Sequence, residues 1–328
     1  LTGLSLDSTD YGNWALAGPS DLSLAAEQAT FGKSCLQVKT GRGRICAQGN
    51  WAARGNSEVQ GRIQALPLDV FMPAVSGDIG GNLSAALADG GELQVDSTIT
   101  LGKGEVQVDD SRRLAHGGGE LSLRVDEAGL LAQLQLATPE QGQLQAMLKL
   151  PALNALPLAD QQPLTGNIKA ELPDLSGLAA WVPQLSRSAG RVAADLQLSG
   201  SLAEPGVAGK LALEDGAATL PLAGLNFEDI RLEASSDPSQ TGRMALTGGI
   251  RSGPGQLLLT GDADLVDNTL ELALVGDRFQ VYNTRDARAL ATPDLQIAWR
   301  DDTLNLRGQV TIPEAALNPK MQLGSSSS

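Results

Sequence analysis

The chain has 328 residues, a formal net charge of −14 and an aromatic content of only 3%. That charge argues against nucleic acid or an anionic membrane face as a direct partner. The shortage of large rings argues against a set of globular cores, which ordinarily centre on such side chains; Leu and Ala dominate instead, enough to coat a thin repetitive sheet.

From residue 1 to Trp51 the pattern is of short strands carrying Leu4 and Leu6, Trp14 and Leu16, then Leu22 and Leu24. The two cysteines stand in CLQVKTGRGRIC, around a Gly-Arg-Gly tip. Strands folded back at that tip would bring Cys35 and Cys46 opposite each other, within reach of a disulfide if their Cα atoms approach to ~5.5–6 Å. A disulfide would point to an oxidising compartment; a pair of buried reduced thiols is the other reading. There is no signal peptide and no apolar run of about 18 residues, so no membrane crossing is expected. The strand-like LTGLSL at the start and GSSSS at the end read as cuts through a longer protein.

Residues 59–73, VQGRIQALPLDVFMP, form a strand running into a Pro-bounded apolar knot at Leu66, Leu68, Phe71 and Met72. A similar event occurs over 164–183, where Asp174 reads as an N-cap and Leu175, Leu178 and Val182 recur at helical spacing. After each knot the text resumes alike, GDIGGNLSAAL from Gly77 and GRVAADLQLSG from Gly190; aligning the two glycines puts Leu83 on Leu196. This is an internal repeat of strand units. Between the knots, strands are expected at 92–101, 105–108, 119–125, 130–137 and 143–150. The single histidine, His116, falls in AHGGG and reads as a solvated turn residue. The chain thus parses into β repeats with the cysteine hairpin (1–60), a groove segment (61–163), a strand plus short amphipathic helix (164–189), a second groove segment (190–320) and a disordered tail (321–328).

From Gly190 a period of two takes over. Val192, Ala194, Leu196, Leu198 and Leu202 share one parity, against Arg191, Asp195, Gln197 and Ser199. Turns are expected at Glu-Pro-Gly 204–206 and Glu-Asp-Gly 214–216, with Leu211 and Leu213 between them and Leu220 and Leu222 beyond. Phe227, Ile230 and Leu232 follow, then Met244, Leu246 and Ile250, Leu257 and Leu259, and Leu270, Leu272 and Leu274. Phe279 and Val281, Leu295, Ile297 and Trp299, and Leu304, Leu306, Val310 and Ile312 complete the series. One face is apolar strand after strand. Two sheets packed face to face would seal it in a sandwich; a curled sheet would leave it open to a guest. The expected fold is all-β: an elongated repetitive sheet curled into a taco-like hydrophobic groove, with short helical insertions. Some two dozen strands at a ~4.8 Å step reach on the order of 100 Å, the scale of a cellular gap.

No catalytic constellation emerges. A β-helix enzyme acting on polysaccharide needs carboxylates laddered across strands, and Asp109-Asp110 and Asp301-Asp302 sit at turns. One histidine, no CxxC, no Walker loop and no dinucleotide fingerprint leave no catalytic residue, metal site or cofactor to expect.

The run GSLAEPGVAGKLALEDGAATLPLAGLNFEDIRLEA, followed by GDRFQVYNTRDARALATPDLQIAWRDDTLNLRGQVTIPEAALNPK, resembles the TamB family, the large AsmA-like proteins of Gram-negative bacteria. The cysteine hairpin leading into Gly49-Asn50-Trp51 and the LPLDVFMP knot resemble the region upstream in that family. The resemblance implies a periplasmic β-groove on an inner-membrane-anchored protein, associated with moving phospholipid towards the outer membrane and with assembling outer-membrane proteins alongside the barrel protein TamA. It implies that the anchoring helix and the C-terminal domain lie outside this stretch, and with them any contact to TamA. The alternating residues from Leu196 to Ile312 named above would line the groove and hold acyl chains. A chaperone or scaffold role, in which an open sheet edge pairs with an incoming strand, is the alternative.

Overall fold

The computed structural model describes residues 2–8, 12–39, 42–107, 113–138, 142–152, 158–177, 182, 184–236, 242–264, 266–300 and 302–317. They form an all-β protein with one open antiparallel sheet of 21 strands, not closed into a barrel, and a separate two-stranded sheet. The chain divides into two compact units, Leu1–Ala170 with Gln197–Pro205, and Glu171–Leu196 with Gly206–Ser328.

The first unit opens with β1 (Ser5–Ser8), β2 (Gly12–Leu16), β3 (Leu22–Leu24), β4 (Gln28–Val38), β5 (Arg44–Ala52) and β6 (Ser57–Pro67). It continues with β7 (Asp78–Leu87), β8 (Leu93–Leu101), β9 (Gly104–Gln107), β10 (Arg113–His116), β11 (Gly119–Asp126), β12 (Gly129–Ala137) and β13 (Gln143–Pro151). From β4 onward each strand pairs antiparallel with the next, except that β8 pairs directly with β11. The excluded β9–β10 hairpin forms its own small sheet. Val106 bridges Val75, and His116 sets Nε2 2.9 Å from the Ser76 carbonyl oxygen. The expectation of a solvated turn for His116 is therefore corrected: the residue ends β10, and its ring ties the hairpin to the segment before β7.

Between β4 and β5, Cys35 and Cys46 are direct cross-strand partners joined by a disulfide, with Cα atoms 4.0 Å apart. The apolar knot after β6 seats only partly. Pro67 leads into a 3-10 turn at Leu68–Val70; Leu66 and Leu68 are buried, whereas Phe71 and Met72 stay exposed. Leu66 packs with Trp14 and Val38, and Leu36, Ile45, Ile63 and Ile79 close around them. This cluster anchors one end of the strands.

The strands β14 (Thr165–Leu172) and β15 (Arg187–Gly200) contribute residues to both units. Between them Asp174 Oδ1 accepts a 2.7 Å hydrogen bond from the Ser176 backbone N–H, an Asx turn. The expected helix runs through 178–181 and 183, which lie outside the described residues, as does the tail at 321–328.

The second unit continues with β16 (Pro205–Leu220), β17 (Leu225–Ser235), β18 (Arg243–Ser252), β19 (Gly255–Asp264), β20 (Thr269–Asp277), β21 (Phe279–Asn283), β22 (Ala287–Arg300) and β23 (Thr303–Leu317). Antiparallel pairing runs β16–β17–β18–β19–β20–β22–β23. The turn expected at 214–216 is corrected: β16 passes through it, and the register merely shifts between Leu213 and Ala218. The reversal comes later, at Pro221–Ala223, where Gly224 closes the turn in the left-handed region at φ 64°.

The bulges have a common build. Asp215 and Asp229 both sit at φ 51°, a conformation Asp tolerates better than most residues. An arginine from a nearby strand grips each acidic pair: Arg191 holds Glu214 and Asp215 at 2.9 and 3.0 Å, and Arg251 holds Glu228 and Asp229 at 3.0 Å each. The extra residue flips the parity of β16 and β17, so Leu211 and Leu213 are continued by Ala218 and Leu220 opposite Phe227 and Leu225.

At that end of the strands β21 folds back onto β22. Leu225, Phe279 and Ala291 are buried there, and Leu290 and Ser252 are the most completely enclosed side chains, at 0% and 1% exposure. Ser252 Oγ donates to the Gln280 carbonyl at 2.8 Å. Phe279 stacks on Phe227 with centroids 6.1 Å apart.

Candidate functional site

The antiparallel registers turn the period-two pattern into rows that run across the strands. In the second unit Leu211, Ala234, Leu246, Gly261, Leu272, Ile297 and Leu306 are successive partners over seven strands. A parallel row consists of Leu213, Leu232, Gly248, Leu259, Leu274, Leu295 and Gly308. Met244, Ala263, Leu270, Trp299 and Leu304 form a third. Residues two apart on a strand share a face, so the three rows make one apolar surface. Ile250 and Leu257 extend it as direct partners.

The opposite face of the same strands is polar, as the row Ala212, Glu233, Thr247, Thr260, Ala273, Gln296 and Arg307 illustrates. Lys210–Glu233, Arg243–Asp262 and Arg300–Glu271 form ion pairs there at 2.9, 3.6 and 3.5 Å. Arg191, exposed, has its pKa raised by the hydrogen bond to Glu214 and the charge of Asp215, so it stays a cation at any working pH. A recess of about 950 Å³ also lies on this face, bordered by Thr260, Glu271, Gln296, Arg300 and Arg307.

Most of the expected lining residues fall on these rows. Phe227, Ile230 and Leu220 pair with Ala218, Gly216 and Leu225 at the capped end, and Val310 faces Pro293. Leu196 and Leu198 alternate, half-buried, along β15. Three others are not brought into the ladders: Leu202 is in the turn after β15, Leu222 is 81% exposed on the 3-10 turn, and Val281 is on the exposed part of β21. On the final strand Leu304, Leu306, Val310 and Ile312 are 50–61% exposed, whereas the leucines of β19 and β20 on the same face are half-buried.

The first unit carries a comparable surface that the sequence pattern did not single out. Leu16, Leu36, Ile45, Ile63, Gly81, Ile99, Leu121, Leu134 and Ala146 succeed one another across nine strands. Phe31, Gly49, Val59, Ala85, Val95, Val125, Leu130 and Leu150 make a neighbouring row. Beside it an almost wholly apolar hollow of about 310 Å³ is bordered by Phe31, Trp51, Val59, Leu87 and Leu93. Among the described residues no group of three or more His, Cys, Asp or Glu side chains could hold a metal ion.

Two family models match the chain. Residues 1–213 match the TamB N-terminal domain, and residues 230–328 match the TamB C-terminal domain. The chain belongs to the TamB family. No curated relative and no solved structure matches it. The C-terminal match corrects one expectation: the TamB C-terminal domain does not lie wholly beyond this stretch, because its match begins at residue 230, midway along β17, and takes in the strands from there to β23. No helix among the described residues is long and apolar enough to cross a membrane.

Proposed function

We propose that this TamB-family chain carries phospholipid through the periplasm, between inner and outer membrane, with acyl chains lying on the apolar ladders and without catalysing a reaction. The observation that carries the reading is the unbroken succession of apolar partners from strand to strand, backed by a polar face. Each buried CH₂ gains roughly 0.8 kcal/mol, so an acyl chain of a dozen or so methylenes would be held firmly. A surface of repeated Leu, Ala and Gly gives successive steps nearly the same energy, and that evenness permits sliding. In the TamB family, association with membranes and with TamA fits such a role; inner-membrane anchoring and a TamA contact are assigned to no residue described here.

The test is in-cell crosslinking from a photoreactive residue at Leu272, on the apolar face, with its neighbour Glu271, on the polar face, as control. Mass spectrometry is expected to find phospholipid on the first and none on the second. Equal labelling, or none at either position of a folded protein, would rule the conduit out.

A second reading rests on β23, which hydrogen-bonds to β22 and to no other described strand. Its free edge would accept an extended segment of an outer-membrane protein in transit, with main-chain bonds giving affinity. Peptide binding that disappears when proline replaces Val310, whose partner Pro293 has no N–H to give the ladder, would favour this role; unchanged binding would remove it.

A further inference from the structure

The polar face of the first unit carries a surface of different chemistry. Lys33 on β4, Arg44 on β5 and Arg62 on β6 border one shallow recess of about 460 Å³. Arg62 is the partner of Cys46 and Arg44 that of Gln64, so the two arginines are diagonal neighbours on adjacent strands. The other polar side chains around the recess, Gln60, Asn82 and Ser84 among them, are uncharged, and no carboxylate borders it. None of the three cations forms an ion pair among the described residues.

This differs from the recesses of the second unit, where Arg251 answers Glu228 and Asp229, and Arg300 answers Glu271. Like charges held this close repel unless an anion joins them. In a chain of net charge −14, such a concentration stands against the overall balance. Arg44 supplies a second, independent sign: its Nε is buried and has no hydrogen-bond partner among the described residues. An unanswered buried donor is costly, and a guanidinium is shaped to give paired hydrogen bonds to a phosphate. The Cys35–Cys46 disulfide, with Cys46 at the recess, fixes β4 against β5, so little ordering is left to do on binding.

We infer that this recess binds a phosphate group flanked by hydroxyls, of the glycerol phosphate kind. The cations take the phosphate, and the neutral amides and Ser84 take the hydroxyls. Such a group comes either from a soluble phosphoester or from a lipid headgroup at a membrane surface. The site lies on the face opposite the apolar ladders, and its failure or success is separate from that of the groove.

The test is calorimetric titration of the whole chain with sn-glycerol 3-phosphate, beside flotation with phosphatidylcholine vesicles with and without phosphatidylglycerol. Saturable binding of the small molecule assigns the soluble source; flotation only with phosphatidylglycerol assigns the headgroup. In either case the Arg44→Gln/Arg62→Gln double variant is expected to lose affinity about tenfold or more, with a weaker dependence on salt. Arg307→Gln, on the polar face of the second unit, is expected to bind as the unaltered chain does, which separates the site from net charge. If the double variant does not fold, Lys33→Gln with Arg62→Gln, both exposed, takes its place. No binding in either assay, or binding undiminished in a folded variant, overturns the assignment.

Discussion

Leu272 stands directly across from Gly261, and a methyl group built on that glycine would fall against the Glu271 carbonyl and 2.9 Å from Leu272 Cδ2. The leucine fills the space the glycine leaves. Leu232 and Gly248 repeat the arrangement, with Leu232 Cδ1 3.3 Å from where a methyl on Gly248 would stand. Gly261→Ala is therefore expected to destabilise the second unit by about 1–3 kcal/mol, because the obstruction includes backbone that cannot swing aside. Urea unfolding would register this as a lower midpoint at unchanged slope. An unaltered midpoint would mean that the row is looser than the register indicates.

Leu290 and Leu306 occupy adjacent strands and opposite extremes of burial, 0% and 61% exposed. Leu290→Ala leaves a cavity beneath β21 and is expected to cost about 2–5 kcal/mol. Leu306→Ala removes a side chain already in solvent, and the expected change stays within ~0.5 kcal/mol. Thermal melts of the two variants check both figures. Equal losses would place something over β23 that the described residues do not supply.

The contrast between these leucines marks what the sequence made legible. Alternation located the strands at 92–101, 119–125, 130–137 and 143–150 to within a residue or so, because Gly, Asp and Pro punctuate them cleanly. It also placed Leu257, Leu259, Leu270, Leu272 and Leu274 on one face. Alternation fails where parity changes inside a strand. Glu-Asp-Gly has the composition of a turn, and a bulge at φ > 0 calls for the same residues, so 214–216 read as a reversal. The parity carried past Pro221 then enrolled Leu222, which the turn leaves in solvent. The ladder through Ile63, Ile99, Leu121 and Leu134 went unmarked because its continuity is lateral: Gly81 and Ser97 interrupt the apolar pattern along their strands, and only the register aligns what remains. Arg44 and Arg62 likewise meet through register alone, and Lys33 joins them from the irregularity of β4 between Phe31 and Ser34.

The disulfide offers a prediction independent of the ladders. It closes a loop with a sequence separation of 11, and a loop of that size restricts the unfolded chain by roughly 3 kcal/mol. Cys35→Ser with Cys46→Ser is expected to lose about that much, with the Trp14, Val38 and Leu66 cluster beside β4 and β5 loosening first. Hydrogen exchange of β4 and β5 with and without reductant would localise the effect. Unchanged protection there would assign the bond no part in holding the first unit.

Arg191 and Arg251 pose the question of what exposed charges contribute to bulges. The partners of Arg191 are all more than half exposed, so solvent screens the attraction. Its raised pKa fixes the sign of any pH effect. A folded-state value above the unfolded one adds stability that is fully present below the unfolded value and is lost as pH rises through the folded one. For an arginine both lie far above the working range, so stability referable to this residue is expected to be flat across it. Arg191→Ala should accordingly melt close to the unaltered chain, and at no pH from about 6 to 9 should the difference change. Charge reversal is the sharper probe. Arg191→Glu sets a third carboxylate against Glu214 and Asp215 at a bulge that already holds Asp215 at φ 51°, so its melting temperature is expected to fall, with the loss shrinking as salt is added. A salt-independent loss would mean that the arginine acts by packing over β16, with its charge incidental.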